Sequence, residues 1–259
     1  MLLFIGASPF LLFNQRDPSI LSLFKTCWPL LLFILLILAA FDIFYGYNRR
    51  LFQLLEKEDW PALSRYLEKR IIRDGHYSPR LIRLLANTYL VLSDSASVLA
   101  LETKAAIVNP ALVDANALIF GAARILEKDL GGAANFFSRM LGSSKTEPAD
   151  WLHWYYGFSL LLDQQYGPSG DQFIPLAVES KDAVITGLSA FFLSERISRL
   201  LPSRGLEFTA AALDGRNRLL KTFPSLDLWN REVKRTLNLV HAAILSRFIS
   251  ETTAWLFDR

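Results

Sequence analysis

Cysteine is nearly absent from this chain: Cys27 is the only one in 259 residues. No intrachain disulfide can form, and thiolate metal sites are excluded from the body downstream of it. Such a body tolerates an oxidising compartment as well as a reducing one. Histidine is scarce too. His76, His153 and His241 stand apart, and none belongs to a His-Glu-x-x-His motif. A formal charge of +3 is spread along the chain without a long basic run, which leaves nucleic acid no electrostatic footprint. There is no Gly-x-Ser-x-Gly elbow, and Gly131-Gly132 lacks the lysine and hydroxyl residue of a phosphate loop. That glycine pair reads as a tight turn between helices, and Glu56-Lys57-Glu58-Asp59 as a solvated helix end. With no catalytic constellation, the expectation is a protein that is not an enzyme and needs no cofactor and no metal.

What the chain has in abundance is apolar residues, at 52%, with a mean hydropathy of +0.25. An unbroken apolar run from Cys27 to Phe41 passes through Asp42 and an aromatic patch, Phe44, Tyr45 and Tyr47, into Arg49-Arg50. It continues as an amphipathic stretch, Leu51 to Glu56, with no proline between. From Cys27 to Tyr47, about 21 residues rising about 1.5 Å each are enough to cross the hydrocarbon core of a bilayer. Residues 27–47 are therefore predicted to be a transmembrane helix. Trp28, Tyr45 and Tyr47 sit where interfacial aromatics belong. Asp42 reads as a headgroup-level residue, with an intramembrane carboxylate as the alternative.

Residues 1–26 form an apolar N-terminal segment and a short loop. Met1–Phe13 is interrupted by Pro9 and reads as interfacial or re-entrant, with a second span as the alternative. No basic region precedes the run and no small-residue cleavage site follows it, so an uncleaved anchor is expected. Orientation is nearly balanced: Arg16 and Lys25 precede the span, and Arg49, Arg50, Lys57 and Arg65 follow it. That count slightly favours a cytoplasmic body, but long domains translocate largely regardless of charge. The reading leans to a single-pass protein of the cytoplasmic (inner) membrane with an extracytoplasmic or periplasmic body.

Beyond the anchor, helical periodicity dominates and strand alternation is absent. The helices come in pairs: Leu51–Lys57 with Trp60–Arg73, Pro79–Leu92 with Ser97–Val108, and Ala111–Glu127 with Ala133–Leu141. Ala149–Leu162 follows, then a loop from Gln165 to Gly170, and Asp171–Glu179. Asp182–Leu201 pairs with Gly205–Phe223, with Pro202 where the chain must break. One long amphipathic segment, about Leu226 to Phe257, ends the sequence. Pair starts recur about every 30 to 36 residues, the mark of an internal repeat.

Small and large residues alternate along these pairs. Leu85-Ala86, Tyr89, Ala105 and Pro110 mark the second; Phe120-Gly121, Ala133, Phe137 and Met140 the third; Tyr156-Gly157, Ile174 and Ala177 the fourth. On these residues the pairs resemble tetratricopeptide repeats. Ala86, Gly121, Ala133 and Gly157 let helices approach, while Tyr89, Phe137 and Ile174 fill the gap. The pair with Asp59-Trp60, Leu63 and Leu67 looks like a degenerate opening repeat that continues the span. The resemblance covers residues 45–180 well and 181–223 poorly. It implies an all-α fold in which the transmembrane helix runs into a right-handed α-solenoid, residues 48–223, closed by a C-terminal capping helix over 224–259.

Repeats of this kind bind protein partners, a peptide or a helix, in a concave groove lined by the first helix of each pair. Arg80, Arg83 and Asn87 share one helical stripe that could hold a peptide's carbonyls or an acidic terminus; a solvated polar face is the alternative. The third pair offers Ala115, Leu118 and Ala122 there, which is not a full carboxylate clamp. In the fourth pair Trp151, Trp154, Tyr155 and Phe158 make interface anchors, or else pack on the neighbouring repeat. His153 among them reads as packing or groove lining. The terminal stripe of Trp229, Val233, Leu237, Val240, Ile244, Phe248 and Trp255 caps the solenoid, with a partner helix or self-association as the alternative.

The expected function is a membrane-anchored adaptor or scaffold for protein–protein interactions in an envelope-associated assembly. The alternative is an integral structural subunit of a larger membrane machine, such as a motor or secretion complex, with the repeats packing laterally. Partners are then proteins, the lipid bilayer through residues 27–47 and, as an oligomer, further copies of the chain; nucleic acid is not among them.

Overall fold

The computed structural model describes residues 18–143, 149–237 and 239–257, and all regular structure among them is helical. The Met1–Phe13 segment lies outside the described residues. The chain divides into two compact units, one up to Glu58 and the other from Asp59 onward.

The first unit contains α1, an uninterrupted helix from Pro18 to Glu56. Its length, about 58 Å, carries the chain past Tyr47 and Leu51 with no gap. The stretch from Trp28 is long and apolar enough to cross a membrane, with a mean hydropathy of 2.3 and no burial. Tyr45 stacks on Phe52 with ring centroids 5.7 Å apart.

The second unit opens with α2 (Trp60–Glu68), which widens into a π-helical turn over Lys69–Arg73. Then come α3 (Pro79–Val91), α4 (Ser95–Val108), the single turn α5 (Ala111–Asp114), α6 (Ala117–Leu126) and α7 (Leu130–Ser143). They are followed by α8 (Ala149–Leu162), α9 (Tyr166–Glu179), α10 (Ala183–Phe192) and, past a second π turn, the short α11 (Ser198–Leu200). Pro202 begins a 3₁₀ turn and ends that run, as expected, before α12 (Gly205–Thr222). Last are α13 (Leu226–Thr236) and α14 (Leu239–Phe257).

Local chemistry sets the helix starts. Asp59, Ser78, Asp94, Asp182 and Ser225 accept hydrogen bonds from first-turn amides of α2, α3, α4, α10 and α13, satisfying donors that have no partner inside a helix. The ends share one device. Ser93, Lys128 and Gln164 adopt left-handed backbone (φ 57° to 62°) after α3, α6 and α8, and Glu58 does so ahead of Asp59 (φ 51°). In each of the three later turns the next residue's N–H bonds five residues back: Asp94 to Tyr89, Asp129 to Arg124 and Gln165 to Leu160, at 2.9, 3.0 and 2.8 Å. This helix-ending motif recurs about every 35 residues, a true internal period.

Consecutive helices pack as hairpins, α3 on α4, α6 on α7, α8 on α9 and α10 on α12, and the first helices α3, α6, α8 and α10 touch one another in series. Close approach depends on small residues. A Cβ at Gly121 would sit 2.1 Å from Phe137 Cζ, and one at Gly157 would sit 2.9 Å from Gln172 Cβ and 3.2 Å from the Phe173 ring. Phe137 is fully buried, as expected; in the fourth pair Phe173 fills the gap, while Ile174 is only half-buried.

Several expectations are corrected. Ala111–Glu127 is not one helix: it breaks at Asn116, a fully buried residue whose Nδ2 donates to Leu112 O (2.8 Å). A buried amide that bonds its own preceding turn offers the backbone an alternative to continuing. Gln165–Gly170 is not a loop either, because α9 begins at Tyr166 and Ser169 Oγ donates to Gly157 O (2.8 Å). The segment from Leu226 to Phe257 is broken at Leu237, whose backbone is extended (φ −69°, ψ 130°).

Candidate interaction face

The four first helices present one face, and α14 lies on it, packing against α3, α6 and α10. The sequence led us to expect a cap on the end of the hairpin series; the second unit instead uses this helix to cover the face along which a partner groove was expected. Its buried side is Val240, which the expected stripe contained, with His241, Leu245, Ile249, Thr252 and Leu256, while Ile244 and Phe248 of that stripe are half-buried. Two contacts anchor its C-terminal end. Arg216 of α12 donates to Leu256 O (3.0 Å), and Trp229 Nε1 of α13 donates to Thr253 Oγ1 (2.8 Å). Arg196, just after α10, bridges to Glu251 at 2.9 Å.

The aromatic residues of α8 are under this cover. Trp151, Trp154, Tyr155 and Phe158 are between 0% and 4% exposed, so they are packing residues rather than anchors waiting for a partner. Trp154 meets Phe158, Phe173 and Phe192, and Phe158 meets Phe248 of α14. Tyr155 stacks on Phe137 (5.6 Å). Each aromatic pair of this geometry adds on the order of 1 kcal/mol beyond the area it buries.

His241 is the polar centre of the seam. Its ring lies 3.8 Å from that of Trp151, and its Nδ1 is 3.0 Å from the Tyr155 hydroxyl. Burial raises the Tyr155 pKa well above the usual phenol range, so the hydroxyl keeps its proton. Burial also pushes His241 down to about 4, because an imidazolium here would lose its hydration. Trp151 in turn donates from Nε1 to Asp182 Oδ2 (3.1 Å), while the other oxygen of Asp182 caps α10.

The arginine stripe on α3 divides. Arg80 is exposed. Arg83 is tied to the break before α6, donating from Nε to Asn116 Oδ1 (3.2 Å) and from Nη2 to Ala115 O (2.5 Å). It fastens one hairpin to the next, a role that spacing alone did not disclose. Asn87 is half-buried, with its Oδ1 enclosed and accepting no hydrogen bond from the protein. Arg83 is exposed, as Arg80 is, but holds the neighbouring hairpin, while Asn87 is half-buried.

His153 leaves the aromatic cluster and faces a cleft of about 390 Å³ lined by Asp150, Gln172, Glu179, Ser180 and Lys181. Its Nδ1 pairs with Gln172 Oε1 (3.0 Å) and Ser180 Oγ donates to Asp150 Oδ2 (2.6 Å), so these groups satisfy one another. Among the described residues, no cluster of three histidine, aspartate or glutamate side chains is placed to hold a metal.

Fold and face together define an all-helical protein with one N-terminal helix fit to span a membrane and a body closed by its own last helix. The chain belongs to the family described as "Uncharacterised Treponema protein", whose model matches residues 97–258. It is similar to an uncharacterized protein of Treponema pallidum (strain Nichols), 27% identical over 165 residues, which are 64% of this chain and 52% of that protein. The chain thus spans about half the length of the relative it matches. The family span runs from α4 to α14, so it holds both sides of the His241–Trp151 seam and excludes Arg80, Arg83 and Asn87.

Proposed function

We propose that this protein is a membrane-anchored helical scaffold whose TPR-like hairpins hold protein partners in an envelope-associated assembly. The observation that carries this reading is the hairpin turn recurring about every 35 residues, a spacing typical of stacked helix-pair repeats whose work is protein contact. Helix α1 would confine the search for partners to the plane of the cytoplasmic membrane, with the body on its extracytoplasmic side. Because α14 occupies the first-helix face, a partner would meet what remains outside: Arg80 and Arg83, and the exposed apolar residues Ile107 and Val108 at the end of α4.

Cross-linking and recovery of the full chain from native membranes test the proposal. Sodium carbonate at alkaline pH should leave the chain in the membrane pellet, and protease should reach the body from the extracytoplasmic side only. A defined protein should be recovered with the wild type and be depleted with Ile107→Asp. Release by carbonate, or equal recovery with the variant, would overturn it.

A second reading, a structural subunit that packs laterally in a larger machine, is favoured by α12. Leu206 and Leu213 lie two turns apart there, 91% and 56% exposed. It calls for a stoichiometric multimer in mild detergent that Leu206→Asp disperses.

A further inference from the structure

The positive charge of the chain, which no long basic run announces, is concentrated where the second unit begins. From Trp60 to Arg83 stand six basic residues, Arg65, Lys69, Arg70, Arg73, Arg80 and Arg83, against two acidic ones, Glu68 and Asp74. Folding then sorts them. Leu63, Leu67 and Ile71 have no exposed surface, and two positions after each comes Arg65, Lys69 or Arg73, all three exposed. Two residues turn a helix by about 200°, so these cations line the side of α2 opposite its buried one.

The π turn completes the line. Over Lys69–Arg73 the helix widens, and the Asp74 N–H bonds to Lys69 O, five residues back, at 2.9 Å. A wider turn needs more residues to come round. Arg73 therefore falls back in line with Arg65 and Lys69, where a continued α-helix would carry it further. Among the described residues none of the three forms an ion pair, whereas Arg124, Arg196, Arg204 and Arg235 further along the chain each hold a carboxylate. Glu68, within the same stretch, is turned to Tyr89, whose hydroxyl donates to Oε1 (2.9 Å).

A row of unpaired cations fixed on one helix side is complementary to a surface of fixed negative charge. The chain itself indicates which surface. Only residues 57–59 separate α2 from α1, the helix long and apolar enough to cross a membrane, and a bilayer carrying anionic lipid attracts basic segments next to a span. We propose that the Arg65–Lys69–Arg73 side of α2 binds the headgroups of anionic phospholipids, giving the body a second, charge-dependent hold on the membrane. The inference rests on the membrane-anchored reading, but it requires neither a protein partner nor a particular side of the membrane.

The test uses the full chain with Cys27→Ser, which removes its only thiol, and His76→Cys, an exposed position three residues past Arg73, labelled with a fluorophore. It is reconstituted into vesicles of phosphatidylcholine alone or of phosphatidylcholine with phosphatidylglycerol, each with a nitroxide on some headgroups. Quenching should be strong with phosphatidylglycerol and weak without it. Lys69→Gln with Arg73→Gln should lower the ratio of docked to free body about fivefold per charge removed. Salt at about 1 M, where the screening length is about 3 Å, should erase the difference between the two lipids. Lys104→Gln, at an exposed lysine of α4, should leave quenching as in the parent chain. Equal quenching in both lipids, or quenching that the glutamine pair leaves unchanged, would overturn the proposal. Alkaline carbonate applied to the same vesicles separates the two readings: release of the chain overturns the anchor and the docking together, while retention with an unquenched probe overturns the docking alone.

Discussion

His241 lies flat on Trp151, ring centroids 3.8 Å apart and planes 21° from parallel, while its Nδ1 pairs with the Tyr155 hydroxyl at 3.0 Å. An imidazole in such a place contributes as a neutral ring. Its pKa is lowered from 6.5 to about 4 by burial. The contribution is therefore complete above pH 6.5 and is lost as pH falls from there to about 4, the range in which the unfolded chain binds a proton that the folded one refuses.

Between pH 7 and pH 4.5 this one residue should remove about 2–3 kcal/mol of stability. Urea unfolding of the detergent-solubilised chain reads it directly. His241→Phe keeps the stack on Trp151 and should show a correspondingly smaller loss. Equal losses in both proteins would show that the imidazole is not the cause.

The turn residues offer a test of opposite sign. Lys128 holds a left-handed backbone at φ 62°, a conformation in which a β-carbon costs energy and glycine does not. Lys128→Gly should therefore stabilise the body, by about 0.5–1 kcal/mol, although glycine within a helix has the reverse effect. A fall in the thermal midpoint would mean that the turn is not strained.

Trp154 and Arg80 were grouped by sequence as candidate partner contacts, and they should now behave differently. Trp154 has no exposed surface, and Trp154→Ala should cost about 3–5 kcal/mol. Arg80 is exposed, and Arg80→Ala should change stability by no more than about 0.5 kcal/mol. Denaturation midpoints of the two variants decide it; a Trp154→Ala body as stable as wild type would restore the open-groove picture.

These contrasts show where the sequence was readable. The apolar run from Cys27 announced α1, and the small residues Gly121 and Gly157 marked close helix approaches that the fold contains. Asp59, Asp94 and Asp129, each just after a left-handed residue, carried the period in the primary structure, and spacing alone could have found them. What sequence could not supply was the location of α14. Periodicity reveals that a helix has an apolar side, not which surface it meets, and three, four or seven-residue spacing fits a cap, a groove or another chain equally well. The breaks at Asn116 and Leu237 were hidden for a related reason. At Asn116 the amide's bond to Leu112 O and the grip of Arg83 together outweigh continued helix, and at Leu237 the packing of α14 is what the sequence alone does not reveal.

The covering helix also imposes an order on assembly. His241 and Leu245 follow, in chain order, all the aromatic residues they enclose, so during synthesis Trp151, Tyr155 and Phe158 must leave the ribosome with nothing over them. Until the final helix arrives, the nascent body presents a sticky aromatic surface that a chaperone, or a neighbouring nascent chain, can claim first.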